Sequence, residues 1–86
     1  MTMYKILQVA CPKQADLYVQ EYYNLLKQDL YSENGYKNES IFIAKHFDGN
    51  QDWYNRFCTN VYMNAKRSYN KKPKELSLEE LKEVMN

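Results

Sequence analysis

Residues 40–47 read Ser-Ile-Phe-Ile-Ala-Lys-His-Phe, and the period assigned to them decides the fold. Taken as alternating, they place Ile41, Ile43 and Phe47 on one face and Phe42, Ala44 and His46 on the other, which predicts a strand. Asp48-Gly49-Asn50 closes it. Upstream, Ser32 to Ser40 is polar and holds Asn34-Gly35, a turn dipeptide, so this stretch reads as a loop.

Farther toward the N-terminus, residues 13–31 carry Ala15, Tyr18, Val19, Tyr22, Tyr23, Leu25, Leu26 and Leu30 at helical spacing. Leu17 and Tyr31 fall off this stripe, toward solvent. Asp16 and Glu21 lie early in the helix and Lys27 late, as the helix dipole favours. Pro12 suits the first turn, where its missing N–H costs nothing. Residues 3–10 (MYKILQVA) are apolar on both faces at Ile6, Leu7 and Val9, which predicts a strand covered on both sides.

Toward the C-terminus, Tyr54, Phe57, Cys58, Val61, Tyr62, Ala65 and Tyr69 form the apolar face of a helix over 51–69, with Trp53 at its margin. Residues 70–75 (NKKPKE) read as a basic linker. Ser77 and Glu80 then have the spacing of a capping box, with Leu76 and Leu81 at the positions of a hydrophobic staple. A short helix over 77–85 follows, carrying Leu78, Leu81 and Met85 on one stripe. Its nine residues are too few to hold a helix alone in water, so it must dock.

The expected fold is therefore a small single α+β domain of order β-α-β-α-α. A short sheet is covered by two amphipathic helices plus the short C-terminal helix. Residues 1–69 form the compact part, and 70–86 supply a linker and helix of the same domain. A long helix between two strands favours a parallel, right-handed crossover. Two strands alone make a poor sheet. A third strand, or a second copy of the chain in a homodimer, has to complete it.

Composition supports a folded chain. Leu, Ile, Val and Phe total 18 of 86 residues, which is low, but nine tyrosines and a net charge of only +1 compensate. A domain this size buries only about 60% of its unfolded surface, so large side chains carry the core. Tyr18, Tyr22, Tyr23, Tyr54 and Tyr62 lie on apolar helix faces; Tyr4, Tyr31, Tyr36 and Tyr69 look more exposed. Ten Lys to two Arg, with nine Asn and nine Tyr, suggest an AT-rich genome such as that of a low-GC bacterium, its phages or its plasmids. No run approaches the roughly 18 apolar residues of a membrane span, and the start lacks the pattern of a signal peptide. A cytoplasmic protein is expected, with Cys11 and Cys58 kept as thiols.

One His and two separated Cys give no metal-ligand pair, and two isolated Gly cannot make a phosphate loop, so neither a metal nor a cofactor is expected. Cys11, between a strand and a helix N-terminus, would share a sheet edge with His46 and Asp48, which makes a thiol site geometrically conceivable. The strand–Cys11-Pro12–helix start resembles that of glutaredoxin-like thiol proteins over about the first thirty residues. Their second cysteine falls at Gln14, and no proline precedes the second strand, so the chain is not assigned to them.

A basic segment is more substantial. Residues 61–75 hold five Lys/Arg against one Glu. Arg56, Asn60, Met63 and Arg67 line one outer face of the second helix, with Lys66 beside them. Lys71, Lys72 and Lys74 extend it, and Tyr69 is placed to stack on a base. The whole-chain pI of about 7.7 is well below that of a nucleic-acid specialist. Small size, many aromatics and the absence of a catalytic motif favour a non-enzymatic protein-binding regulator, inhibitor or accessory subunit, of the kind phages and mobile elements encode. The alternatives are a nucleic-acid-binding protein using the basic face, and a thiol enzyme using Cys11.

Overall fold

A computed structural model describes residues 3–85. It is helical throughout: α1 (Met3–Ala10), α2 (Pro12–Lys27), α3 (Glu33–Phe47), α4 (Gln51–Tyr69), a 3-10 turn (Pro73–Glu75) and α5 (Leu78–Met85). The described residues contain no strand. The α+β expectation is thus overturned, and with it the order β-α-β-α-α, the parallel crossover and the incomplete sheet that called for a third strand or a second copy.

The first strand is instead α1. Cys11 N–H still donates to Leu7 O at 2.7 Å, and the helical ladder stops only where Pro12 has no N–H to offer Gln8. One residue, Cys11, therefore separates α1 from α2, and the two pack together. Tyr4 is 2% exposed, against the expectation of an exposed ring, while Val9 is 84% exposed. The double-sided apolar pattern that suggested a covered strand is a helix with one buried stripe and several idle hydrophobics.

The second strand, and the loop before it, are α3. Gly35, Phe42, Ile43, His46 and Phe47 are buried, whereas Ile41, Ala44 and Lys45 are exposed. That is a 3.6-residue period, not alternation. Ser32 starts the helix: its Oγ accepts from Gly35 N–H at 3.0 Å and donates to Asp29 O at 2.7 Å. Asn34-Gly35 is not a turn. Gly35 is needed because the first turn of α3 presses on the Asp29–Leu30 backbone. Asp48 (φ 51°) and Gly49 (φ 72°) then break the helix in the left-handed region, with Gly49 N–H returning to Ile43 O at 3.1 Å. Asn50 Oδ1 caps α4 by accepting from Trp53 N–H at 3.0 Å.

The remaining elements lie close to where the sequence puts them. α2 ends at Lys27 rather than 31, and Leu30 sits in the turn that follows. The α5 capping box forms: Glu80 N–H donates to Ser77 Oγ at 3.2 Å and Ser77 N–H to Glu80 Oε1 at 3.0 Å. Leu76 and Leu81, the two staple residues, are fully buried. α5 docks on α2 and α4, and Asn64 Nδ2 fixes it by donating to Val84 O at 3.0 Å. Lys27 locks the approach, its ammonium donating to the carbonyls of Lys74 and Leu76.

The core is aromatic. Tyr18, Phe42, Phe47 and Tyr54 are buried with Phe57 packed against them, and Tyr22–Phe57 and Tyr18–His46 meet edge-on with centroids 4.8 and 4.9 Å apart. Tyr54 donates to Glu39 Oε2 at 2.8 Å. The Tyr18 hydroxyl is buried with no hydrogen-bond partner among the described residues. Burial pushes the Tyr18, Tyr22 and Tyr54 phenols upward, so all three stay neutral across the physiological range.

His46 is the buried polar exception. Its Nε2 lies 2.8 Å from Glu21 Oε2, and Lys45 Nζ donates to Glu21 Oε1 at 2.8 Å, tying α3 to α2. Partial burial alone would raise the Glu21 carboxyl, but the hydrogen bonds from Lys45 and His46 outweigh it and hold it below its ordinary 4.5. A carboxyl depressed on folding stabilises the native state above its unfolded value and loses that contribution as pH falls through the folded one. Urea midpoints measured across pH should therefore fall more steeply below 4.5 for the wild type than for Glu21→Gln. Parallel curves would remove Glu21 as a source of acid sensitivity.

Candidate functional site

The outer face of α4 is set by its inner one. Tyr54, Val61 and Ala65 face the core, so Arg56, Asn60, Met63 and Arg67 emerge away from it, one turn apart, with Arg56 and Asn60 at the flank where they also edge a cavity. The side chains of Arg56, Asn60, Lys66 and Arg67 make no hydrogen bond or ion pair with any described residue. Met63 is half exposed.

The other three residues of the sequence-derived set behave differently. The Tyr69 phenol donates to Glu83, which raises its pKa to about 12. Lys71 Nζ lies 3.4 Å from Glu80 Oε2. The ordered Ser77 N–H and Lys71 together hold the Glu80 carboxyl below its usual range, although partial desolvation opposes them. Lys72 is exposed at the edge of an apolar groove. The acidic helix α5 thus engages Tyr69 and Lys71 of the basic segment and leaves the α4 stripe untouched. Local charge counting could not reveal this, because the partners lie 9 to 14 residues away.

Two concavities flank α4. One, of about 360 Å³, is walled by residues of all five helices, with Arg56 and Asn60 at α4 and Trp53 among its rings. The other is an open groove of about 410 Å³ between the end of α2 and the segment before α5. Leu26, Leu30, Tyr31, Tyr62 and Pro73 make its apolar walls, and Lys72 and Lys74 its basic edge. Tyr62, expected in the core, is 47% exposed here, and Tyr31 is 88% exposed. The sequence puts Leu30 on the apolar stripe of α2 and does not single out Pro73; the off-stripe position of Tyr31 is the available signal.

The Cys11–His46–Asp48 arrangement loses its premise, since there is no sheet edge to align it. Cys11 is exposed at the start of α2, His46 is buried against Glu21, and Asp48 is an exposed helix cap. The likeness to glutaredoxin-like proteins lapses for the same reason. Cys58 is half buried beside Tyr22, and burial pushes its thiol up. Among the described residues, no cluster of three or more His, Cys, Asp or Glu side chains could hold a metal ion, and no helix is long and apolar enough to cross a membrane. A scan of family models, a search of curated proteins and a search of solved structures each return no match to this chain.

Proposed function

We propose that the protein is a small non-enzymatic binding protein, acting as a regulator, inhibitor or accessory subunit, and that its groove docks an acidic, aromatic-anchored segment of a protein partner. The observation that carries this reading is the groove itself. Two exposed tyrosines flank an apolar floor, and tyrosine supplies large contact area at small entropic cost. Lys72 and Lys74 edge it, and Lys66 lies one turn beyond Tyr62 on α4. Asp29, the one acid among the described residues lining the groove, already accepts from Tyr31 N–H at 3.0 Å. Opposite charge across such a rim favours an acidic partner.

The acidic face of α5 beside the basic segment supports a protein partner over a phosphate backbone. Tyr69 and Lys71, which a nucleic-acid surface would use, are taken up by Glu83 and Glu80.

Random peptides selected on the immobilised protein should converge on acidic sequences with an aromatic or leucine anchor. Tyr62→Ala should weaken the selected peptide at least about tenfold, as loss of a buried anchor does. Lys72→Glu with Lys74→Glu should do the same and reduce the salt dependence. Selection without an acidic consensus, or equal binding by these variants, refutes the groove. Tight duplex DNA binding lost in Arg56→Glu/Arg67→Glu but intact in Tyr62→Ala would move the function to nucleic acid.

A further inference from the structure

The cavity behind the N-terminal half of α4 is separate from the groove. We propose that it binds a small aromatic carboxylate. Every helix contributes a wall: Tyr4 from α1, Tyr18 from α2, Phe47 from α3, Phe57 from α4 and Met85 from α5. Ligand sites of helical bundles form at such junctions, and a volume of about 360 Å³ lies within the roughly 300–1,000 Å³ common for small-molecule pockets.

The polar groups narrow the ligand. Among the described lining residues Arg56 is the one cation, and none is acidic. Arg56 has no ion pair with any described residue, so its guanidinium is available. Asn60 lies one turn farther along α4 on the same wall, placing a carboxamide beside the guanidinium. A carboxylate between them would accept from both, bidentate on the arginine side. Asn64, a turn deeper, is held by its bond to Val84 O.

The rest of the lining suits a ring. The Phe47 ring centroid lies 5.2 Å from those of both Trp53 and Phe57, and the Trp53 ring is edge-on to it. Edge and face contacts of this kind are what a further aromatic ring adds to. An ammonium-bearing ring meets the wrong charge at Arg56. An aliphatic chain gains no ring contacts.

Phenylacetate and phenethylamine form the test pair, equal in ring and opposite in charge. Trp53 is the only tryptophan and lines the cavity, so its emission reports occupancy directly. Amide chemical shifts locate the site. Phenylacetate should saturate with a Kd of roughly 0.1–1 mM, the range open to so few atoms. Shift changes should centre on Trp53, Asn60, Asn64 and Met85. Arg56→Gln, an exposed substitution, should keep the helical circular dichroism and weaken phenylacetate about tenfold. Phenethylamine should not saturate. Failure of phenylacetate to saturate at millimolar concentration overturns the proposal. So does equal binding of the amine, an unchanged Kd in Arg56→Gln, or shifts centred on Tyr31 and Tyr62. None of these outcomes bears on the peptide groove, whose own variants leave the cavity intact.

Discussion

Replacing Gly35 with alanine destabilises the protein by about 2–4 kcal/mol, combining an overpacking cost with a damaged helix cap. Helix propensity alone says the opposite, because alanine in a helix is about 1 kcal/mol better than glycine. Packing decides the sign. A Cβ at position 35 would press into the Asp29 carbonyl oxygen and stand 2.8 Å from Leu30 Cα. Both are backbone atoms and cannot swing aside. The first turn of α3 must lift, which pulls Gly35 N–H from Ser32 Oγ and Ser32 Oγ from Asp29 O. Thermal unfolding followed by circular dichroism should show a drop of about 10–20 °C for a domain of this size. The exposed neighbour Asn34, changed to alanine, should show no comparable loss. A rise in melting temperature for Gly35→Ala would mean that α3 does not sit against the Asp29–Leu30 turn.

Phe47→Ala is the more damaging core change. Its ring is 1% exposed and lies within 5.2 to 6.2 Å, centroid to centroid, of Tyr18, Phe42, Trp53, Tyr54 and Phe57. Truncating a buried phenylalanine costs about 3–5 kcal/mol, through lost transfer energy and the cavity left behind. Domains of this length are stable by roughly 5–10 kcal/mol, so half or more of the total is at stake. Urea denaturation should show a large fall in midpoint, with Trp53 emission shifting to the red because its ring loses its packing partner. Phe47→Leu, which keeps most of the volume, should lose far less. Equal losses in the two variants would show that ring contacts, rather than volume, set the cost.

These two residues also show why the fold was only partly legible. α2, α4 and α5 were readable because each carries its own signal. In α2 and α4 an apolar stripe runs several turns, and in α5 the Ser77–Glu80 box is local by construction. α3 has a comparable stripe, Gly35, Glu39, Phe42, Ile43, His46 and Phe47, but its first two members are a glycine and a carboxylate. Seen without them, the last eight residues are short enough for alternation and helical period to compete. Ile41 and Ala44, exposed in the structure, complete the false alternation. α1 misled through surplus: Ile6 and Val9 are apolar without being needed by the core. Asn34-Gly35 has the composition of a turn, but Gly35 serves a close approach of two backbones.

The α4 stripe is legible because the apolar period of 51–69 is helical over its whole length, and a helix fixes which residues emerge together. What the pattern could not convey was the tertiary pairing of Tyr69 with Glu83 and of Lys71 with Glu80. Nor could it reveal a cavity built from five separate helices, whose walls come from positions as far apart as Tyr4 and Met85.

The docking of α5 has a consequence for how the chain folds. α1 and α2 are joined by one residue, and α3 and α4 by three, so each pair can zip by local diffusion on fast timescales. α5 meets α4 across eight intervening residues but α2 across fifty, so its contact with α2 carries the larger loop-closure entropy. The Lys27 clamp on the carbonyls of Lys74 and Leu76 holds the returning chain at the place where the search ends. The fold thus joins two locally connected helix pairs to a C-terminal helix that returns across the chain to α2.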